Sequence, residues 1–370
     1  MVLIWSRGVY NSGCQPRTRD SAGTRSPWRL AQLFYHGSIS RQSLRGPVEA
    51  IQLNHLRRIY RAQIGVIRRT VKEVVAVDDV SLGIQAGELF GLLGPNGAGK
   101  TTIVKMLTTL LIPSAGEGRV LGYDVVRQAN EVRKRIGFIF GGERGLYWRL
   151  SGIDNLRYFA SLYHVDPVET RTRIPFLLEM VGLDGRGNEK VGGYSRGMKQ
   201  RLHVARTLLH DPAVLFLDEP TIGLDPVGAR EFRQVILNLQ SEKKTILLTT
   251  HYMFEADSLC DRIAVIDKGR LVALDTPGGL KRNVADLSVV EIETFGTPDS
   301  ALDHVRSLDF VDSLSVEDHE QRQMLLVQTR RGAEAVPDLL SALDGQRLGR
   351  VVVREPTLED AYVRLVQGKQ

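Results

Sequence analysis

The fold of this chain is decided by the stretch Gly94-Pro95-Asn96-Gly97-Ala98-Gly99-Lys100-Thr101-Thr102. An apolar run at 89–93 precedes it and the helix-like segment Ile103 to Leu111 follows, so the predicted order is strand, glycine-rich loop, helix. The spacing fits G-x-x-x-x-G-K-[ST], in which backbone N–H groups and a helix N-terminus cradle phosphate. In that pattern Lys100 reaches the β and γ phosphates and the Thr101 hydroxyl ligates Mg²⁺, a hard ion that prefers oxygen. All nine residues are therefore predicted to bind a nucleoside triphosphate.

Length and composition are ordinary for a globular protein of two or three domains. The chain has 370 residues, of which 42% are hydrophobic and 25% are charged. No run approaches the ~18 consecutive apolar residues of a membrane-spanning helix, so any work at a membrane is expected to be peripheral. The two cysteines, Cys14 and Cys260, have no metal-type spacing, which favours a reduced, cytosolic setting.

The positive charge is concentrated at the N-terminus. Residues 1–47 contain seven arginines against Asp20 alone, a surplus equal to the net charge of +6. The rest of the chain is balanced, so no nucleic-acid partner is expected. Because residues 1–47 lack sustained periodicity, they are predicted to form a disordered basic tail. The alternative is that the tail lies upstream of the natural start, with the first meaningful residue near Val48.

The domain organisation follows from the alternation of apolar runs and helical periodicity. Strand-like runs at 136–140, 213–217 and 245–249 are separated by helical segments, which predicts a largely parallel α/β sheet with crossover helices in residues 48–280. Helix-spaced apolar residues predict a helical subdomain at about 143–205. Beyond a boundary near 277–283, residues 285–370 are predicted to form a small α+β accessory domain.

Two acidic residues end an apolar strand beyond the helical subdomain. The run 214–217 leads directly into Asp218 and Glu219. Asp218 is predicted to hold Mg²⁺, and Glu219 to orient and deprotonate the attacking water. His251 ends another strand at the edge where open α/β sheets bind ligands, so it is predicted to contact the γ phosphate or that water. The alternatives are a surface acidic pair and a structural histidine.

A nine-residue segment just upstream of the acidic strand identifies a family. It reads Tyr194-Ser195-Arg196-Gly197-Met198-Lys199-Gln200-Arg201-Leu202 and resembles the signature motif of ATP-binding cassette (ABC) proteins. The phosphate loop, Leu217-Asp218-Glu219-Pro220, Gly223-Leu224-Asp225 and His251 follow the family's order, and the resemblance covers roughly residues 48–280.

The resemblance implies a P-loop ABC nucleotide-binding domain that hydrolyses ATP with Mg²⁺. It also implies a head-to-tail dimer, most simply a homodimer, in which Ser195 and Gly197 of one protomer contact the ATP bound to the phosphate loop of the other. Asp225 belongs to the same nucleotide-binding set. A serine and backbone amides at a helix N-terminus suit a γ phosphate.

Two further stretches, 140–151 and 355–362, resemble the drug-export branch typified by daunorubicin resistance ATP-binding proteins. This resemblance implies an ATPase subunit on the cytoplasmic side of the membrane that serves a separate polytopic permease and exports a drug-like or lipophilic compound. Two alternatives remain open: a soluble ABC ATPase that acts on ribosomes or nucleic acid, and an importer ATPase.

The chain departs from the family pattern at several points. Gly141, Gly142 and Glu143 stand where the family has a glutamine that contacts Mg²⁺ and couples to the membrane subunit. Arg196 in the signature either brings a positive charge toward the phosphates of ATP or only fills space without a role in binding. Tyr60 is predicted to stack on adenine, with an ordinary core position as the alternative. The apolar residues of 146–150 either pack the helical subdomain or form a socket for a cytoplasmic helix of the permease.

Overall fold

The computed structural model describes residues 49–64, 70–140, 145–282, 284, 286–319 and 322–367. The predicted tail, Gly141, Gly142 and Glu143 lie outside these residues, so the predictions made for them stay predictions. The elements up to residue 135 are β1 (Glu49–Ile64), β2 (Thr70–Gln85), β3 (Leu89–Leu93), α1 (Lys100–Leu107), β4 (Ala115–Val120), β5 (Tyr123–Asp124) and α2 (Ala129–Arg133). Those up to residue 282 are β6 (Ile136–Phe140), α3 (Gly152–Leu162), α4 (Pro167–Met180), α5 (Arg196–Thr207), β7 (Val214–Asp218), α6 (Pro226–Ser241), β8 (Thr245–Thr250), α7 (Met253–Leu259), β9 (Arg262–Asp267), β10 (Arg270–Asp275) and α8 (Pro277–Arg282).

The central sheet has six strands in the order β10-β9-β3-β8-β7-β6. Strands β6, β7, β8, β3 and β9 are parallel, and β10 closes the edge as an antiparallel hairpin with β9. Every residue of β3, β7 and β8 is buried, as expected for strands covered on both faces. The predicted parallel α/β sheet is confirmed. The carboxyl ends of β3, β7 and β8 meet at one edge, which is where the site forms.

A second, antiparallel sheet in the order β2-β1-β4-β5 was not predicted. It is built on a long hairpin in which β1 pairs with β2 from Glu49↔Gln85 to Ile64↔Thr70. Buried residues of this sheet, such as Ile51 and Val80, share one core with Val104 of α1. The second sheet therefore supports the helix that follows the phosphate loop.

Helix α1 is shorter than the sequence pattern predicts. The apolar spacing extends to Leu111, but α1 ends at Leu107. The Thr108 hydroxyl donates to Val104 O at 2.8 Å, and Thr109 has φ 65, a left-handed conformation that does not continue a helix. The predicted end at Leu111 is wrong because apolar periodicity continues past the backbone turn.

Helices α3, α4 and α5 lie between β6 and β7 in sequence, and each begins at a capping side chain. Ser151 accepts from Asp154 N at the start of α3, and Asp166 accepts from Val168 N at the start of α4. Apolar residues of these helices, such as Leu156 and Leu202, share a core with residues of β7 and β8. The helices are therefore attached to the central sheet.

The remainder of the chain forms a third sheet with further helices. Its elements are β11 (Ser288–Thr294), α9 (Asp299–Arg306), β12 (Val311–His319), β13 (Arg322–Thr329), α10 (Val336–Ala342), β14 (Leu348–Arg354) and α11 (Leu358–Gln367). The antiparallel strand order is β12-β13-β11-β14, with its own core around Ile292 and Leu339. Leu358 of α11 instead joins the core that contains Leu259 of α7. None of the helices in the described part of the chain has the length and apolarity needed to cross a bilayer.

Candidate nucleotide site

The phosphate loop links β3 to α1 and folds back on its own lysine. Lys100 is only 4% exposed, and its Nζ donates to Gly94 O at 2.7 Å and to Pro95 O at 3.1 Å. Gly99 has φ 105, and a Cβ there would lie 2.4 Å from Ala76 O, so glycine is required. A Cβ at Gly97 would meet nothing within 4 Å, which shows that the loop is open on that side.

A cleft of about 530 Å³ opens over this loop. Its lining combines loop residues with the ends of β6 and β7 and comprises Ala76, Asn96, Gly97, Gly99, Lys100, Thr101, Thr102, Lys105, Phe140, Asp218, Glu219 and Ile222. Six of the nine predicted loop residues line the cleft. The other three, Gly94, Pro95 and Ala98, are not part of the lining, but the carbonyls of Gly94 and Pro95 hold Lys100.

Asp218 lies at the end of β7 and is held by two hydroxyl groups. Thr101 Oγ1 donates to its Oδ2 at 2.9 Å, and Thr249 Oγ1 donates to its Oδ1 at 2.6 Å. The Asp218 side chain is nearly buried, and within the described ranges no cationic side chain pairs with it. A buried carboxylate beside a hydroxyl is the oxygen ligand set that Mg²⁺ prefers, so Thr101 and Asp218 fit the predicted metal.

Glu219 brings Lys100 and His251 together. Its Oε1 lies 3.5 Å from Lys100 Nζ, and its Oε2 lies 3.5 Å from His251 Nδ1. Glu219 has φ 47, an unfavourable conformation for a non-glycine residue, and its N–H donates to Thr249 O at 3.1 Å. The carboxylate remains partly exposed to the cleft. The arrangement can present a base to a water molecule beside a cation and an imidazole.

The signature residues lie outside the wall of this cleft. Ser195 caps α5 by accepting from Met198 N at 3.2 Å, and Asp225 caps α6 by accepting from Gly228 N at 2.8 Å. A Cβ at Gly197 would lie 3.5 Å from Gly228 Cα, so α5 and α6 approach closely at this point. Arg196 donates to Gly223 O at 3.4 Å, a long bond within its own protomer.

Tyr60 does not line the cleft either. It pairs with Val74 in the β1–β2 hairpin, and the residue is 38% exposed, with Arg58 Cζ 4.9 Å from the ring centroid. The exposure argues against an ordinary core position. The stacking of Tyr60 on adenine remains a prediction.

Thr249 is a site residue that the sequence reasoning missed. Its sequence context predicts only a place in the strand-like run 245–249, but it is paired in register with Asp218 and bonds to it. The available signal was a polar residue at the carboxyl end of a buried strand, the edge where ligands bind. The lining of the cleft itself contains four further residues that were not predicted, Ala76, Lys105, Phe140 and Ile222.

An exposed group of large side chains lies on the helical region. We call it the aromatic surface, and its members are Tyr147, Trp148, Leu150, Tyr158 and Leu162. Trp148 is 59% exposed, and the rings of Tyr147 and Tyr158 meet edge to face with centroids 4.9 Å apart. Large exposed apolar side chains grouped on one region are typical of a protein-binding surface.

Comparison with known proteins agrees with the geometry of the cleft. The ABC transporter family model matches residues 77–222. The chain is 40% identical over 78% of its length to the daunorubicin resistance ATP-binding protein DrrA3 of Streptomyces coeruleorubidus, covering 90% of that protein. It belongs to the family of ABC transporter ATP-binding proteins. This ABC protein is also 47% identical over 54% of its length to the ABC transporter ATP-binding protein NatA of Bacillus subtilis, covering 82% of it.

Solved structures support the same assignment. The dimeric bacterial ABC transporter cassette MJ0796 matches 61% of this ABC protein and 98% of its own chain, with 25% identity and a TM-score of 0.53. The cbiO1 subunit of Clostridium perfringens, part of the complex cbiONQ, matches 64% of this ABC protein and 94% of its own chain, with a TM-score of 0.55. The resemblance to ABC proteins is confirmed, and this ABC protein is an ATPase that binds and hydrolyses ATP.

Proposed function

We propose that this ABC protein is the ATPase subunit of an exporter, bound peripherally to the cytoplasmic side of the membrane. It drives efflux of a drug-like or lipophilic compound through a separate membrane subunit. The observation that carries the proposal is the share of this chain that matches export proteins. The match to the daunorubicin resistance protein DrrA2 of Streptomyces coeruleorubidus spans 83% of the chain, and that to the Nod factor export ATP-binding protein I of Cupriavidus metallidurans spans 82%. Both extend well beyond the 61–64% matched by single cassettes.

The chemistry is assigned to the residues of the cleft. Thr101 and Asp218 would hold Mg²⁺, which when bound supplies positive charge to the phosphates of ATP. Lys100 lies at the phosphate loop, where it neutralises negative charge on the β and γ phosphates. Glu219 accepts a proton from the attacking water, and His251 keeps the Glu219 carboxylate oriented through its Nδ1 contact.

A second copy of the chain completes each nucleotide site in this proposal. Ser195 and Gly197 do not line the cleft of their own protomer, which supports a role at the cleft of a partner. The N-terminus of α5 carries the positive end of the helix dipole beside the Ser195 hydroxyl, and both favour a phosphate. ATP binding then closes the head-to-tail dimer, and hydrolysis reopens it.

The aromatic surface is assigned to the membrane subunit. Its exposed rings fit a cytoplasmic helix of a permease as an apolar anchor. The importer alternative shares this cassette, but the length of the match to export proteins favours efflux.

The hydrolysis mechanism is tested by the substitution Glu219→Gln. The amide cannot accept the proton from water, so we expect kcat to fall by about 10²–10⁴-fold. Binding of ATP is expected to remain, and the dimer to persist in ATP during size-exclusion chromatography. Unchanged turnover in the variant would remove Glu219 from its assigned role.

The transport context is tested by purifying the tagged chain from detergent-solubilised membranes of its host. We expect a protein with about six spanning helices to co-purify. Trp148→Ser is expected to reduce that yield, whereas Phe295→Ser, which changes another exposed aromatic ring, leaves it unchanged. Recovery of ribosomes or nucleic acid alone would contradict the exporter assignment.

A further inference from the structure

The segment 145–150, which carries Tyr147 and Trp148, is attached to two points on helix α5. Arg206 near the end of α5 donates through one terminal nitrogen to Gly145 O at 2.9 Å. Lys199 near its start lies with Nζ 5.7 Å from the centre of the Trp148 ring. The two cations are seven positions apart, so they project from the same face of the helix, about two turns from each other.

The Arg206 contact is closely fitted. Gly145 has φ 102, a conformation that strains any other residue, and a Cβ there would lie 2.8 Å from the terminal nitrogen of Arg206 that donates the bond. The guanidinium also lies over Phe159, with Cζ 4.9 Å from the ring centre. Phe159 packs edge to face against Tyr158 at 5.3 Å. Arg206 therefore contacts both the backbone and the aromatic support of the segment.

The rest of the segment has little freedom relative to its surroundings. Asn155 is fully buried; its Oδ1 accepts from Tyr147 N at 2.8 Å, and its Nδ2 donates to Tyr147 O at 3.0 Å. Gly192 N donates to Trp148 O at 2.9 Å, only three positions before Ser195. The aromatic surface and the signature serine are therefore joined through α5 and through the chain that leads into it.

We propose that Arg206 and Lys199 are positioning residues for transport coupling. They make the aromatic surface move with α5, so that displacement of Ser195 at the nucleotide is transmitted to the docked membrane subunit. The proposal rests on the function proposed above. The connection runs entirely through described residues and does not use Gly141, Gly142 or Glu143, the positions where the family's coupling glutamine is replaced.

The test uses the complex of this ABC protein with its co-purified membrane subunit in nanodiscs. ATPase activity is measured for the chain alone and for the complex, with Arg206→Lys, Arg206→Met and Lys199→Gln. We expect stimulation by the membrane subunit to fall at least about fivefold, the lower range of typical coupling energies. KM for ATP, basal kcat and co-purification are expected to stay within about twofold, changes of under about 0.5 kcal/mol.

The matched control is Arg201→Lys. Arg201 lies on the same helix and also donates to backbone carbonyls, those of Val181 at 3.2 Å and Gly182 at 3.1 Å, rather than to the segment 145–150. We expect the membrane subunit to stimulate the ATPase activity of Arg201→Lys as much as that of the unmodified chain. Thermal unfolding of every variant is recorded. Lys199 lies on a different turn of α5 from Arg206, so Lys199→Gln keeps the test valid if Arg206 variants misfold.

Three results overturn the proposal in distinguishable ways. Normal stimulation in both Arg206→Lys and Lys199→Gln refutes the coupling role while leaving the exporter function intact. Loss of basal kcat equal to the loss of stimulation shows that the residues are only structural. Failure of the unmodified chain to bind or respond to any membrane subunit refutes the exporter function, and the coupling role with it.

Discussion

Thr249 contacts both acidic residues of the site. Its hydroxyl donates to Asp218 Oδ1 at 2.6 Å and accepts from Glu219 N at 3.1 Å, and the side chain is fully buried. One hydroxyl therefore fixes the carboxylate assigned to the metal and the strained backbone of the residue assigned to water activation. A buried hydrogen bond to a charged group contributes about 1.5–3 kcal/mol.

We expect Thr249→Val, which keeps the shape of the side chain, to lower kcat by about 10- to 100-fold, following the strength of that bond. The reason is that Asp218 loses one of its two hydroxyl partners. Steady-state ATPase assays measure the effect. The control is Thr245→Val at the opposite end of β8, where the hydroxyl accepts from Gly87 N; equal losses of activity in both variants would contradict the assignment.

Among the elements, α11 is tied to the third sheet by a buried acidic residue. Asp360 accepts from Thr357 N and from one terminal nitrogen of Arg354, each at 2.7 Å. Burial raises the pKa of Asp360, but the bonds from Arg354 and Thr357 outweigh it, so the pKa lies below the ordinary value of 3.8. The ionised form is therefore the one that the folded state favours.

The stability contributed by Asp360 is present above pH 3.8 and is lost as the pH falls through its lowered value in the folded state. We expect Asp360→Asn to reduce the free energy of unfolding at pH 7 by about 1.5–3 kcal/mol, as for a hydrogen bond to a charged group. Urea unfolding at pH 7 and near pH 3 measures the difference, which should shrink on acidification. Asp303→Asn, in the exposed pair with Arg306, is expected to change little.

The elements that the sequence predicted well are those whose own side chains define them. β3 is a continuous apolar run, β7 is one up to Asp218, and β8 has the apolar centre Ile246-Leu247-Leu248. β4 was missed because its sequence, Ala-Gly-Glu-Gly-Arg-Val, has no strand pattern; it becomes a strand by pairing with β1, as in Ile51↔Val120. Partners so distant in the chain leave no local signal.

Contacts between residues distant in the chain also limited what the sequence could predict about the site. Lys100, Thr101, Asp218, Glu219 and His251 were predicted from motifs, and the fold brings them to one edge of the sheet. Phe140 lines the cleft, and Thr249 bonds to Asp218 behind it, only because β6, β7 and β8 are neighbours in the sheet. Local spacing cannot specify that order.

Across the whole molecule, the last helix belongs to two cores at once. Leu358 of α11 packs in the core that contains Leu259 and Leu280, while Ala361 packs in a separate small cluster with Val284 and Leu287. Lys281 of α8 pairs with Asp257 of α7 at 2.8 Å, beside these contacts. Helix α7 begins two residues after His251, so the C-terminal helix supports the part of the chain that carries the site.

This packing predicts that the chain unfolds as one cooperative unit, although its third sheet has a separate core. Differential scanning calorimetry is expected to give one transition that shifts upward as a whole with ATP and Mg²⁺. Leu358→Ala leaves a cavity where both parts meet, so we expect a loss of about 2–5 kcal/mol and separation into two transitions, of which ATP shifts only one. Leu339→Ala, inside the core of the third sheet alone, serves as the control. Two independent transitions in the unmodified chain would show that α11 does not couple the two parts.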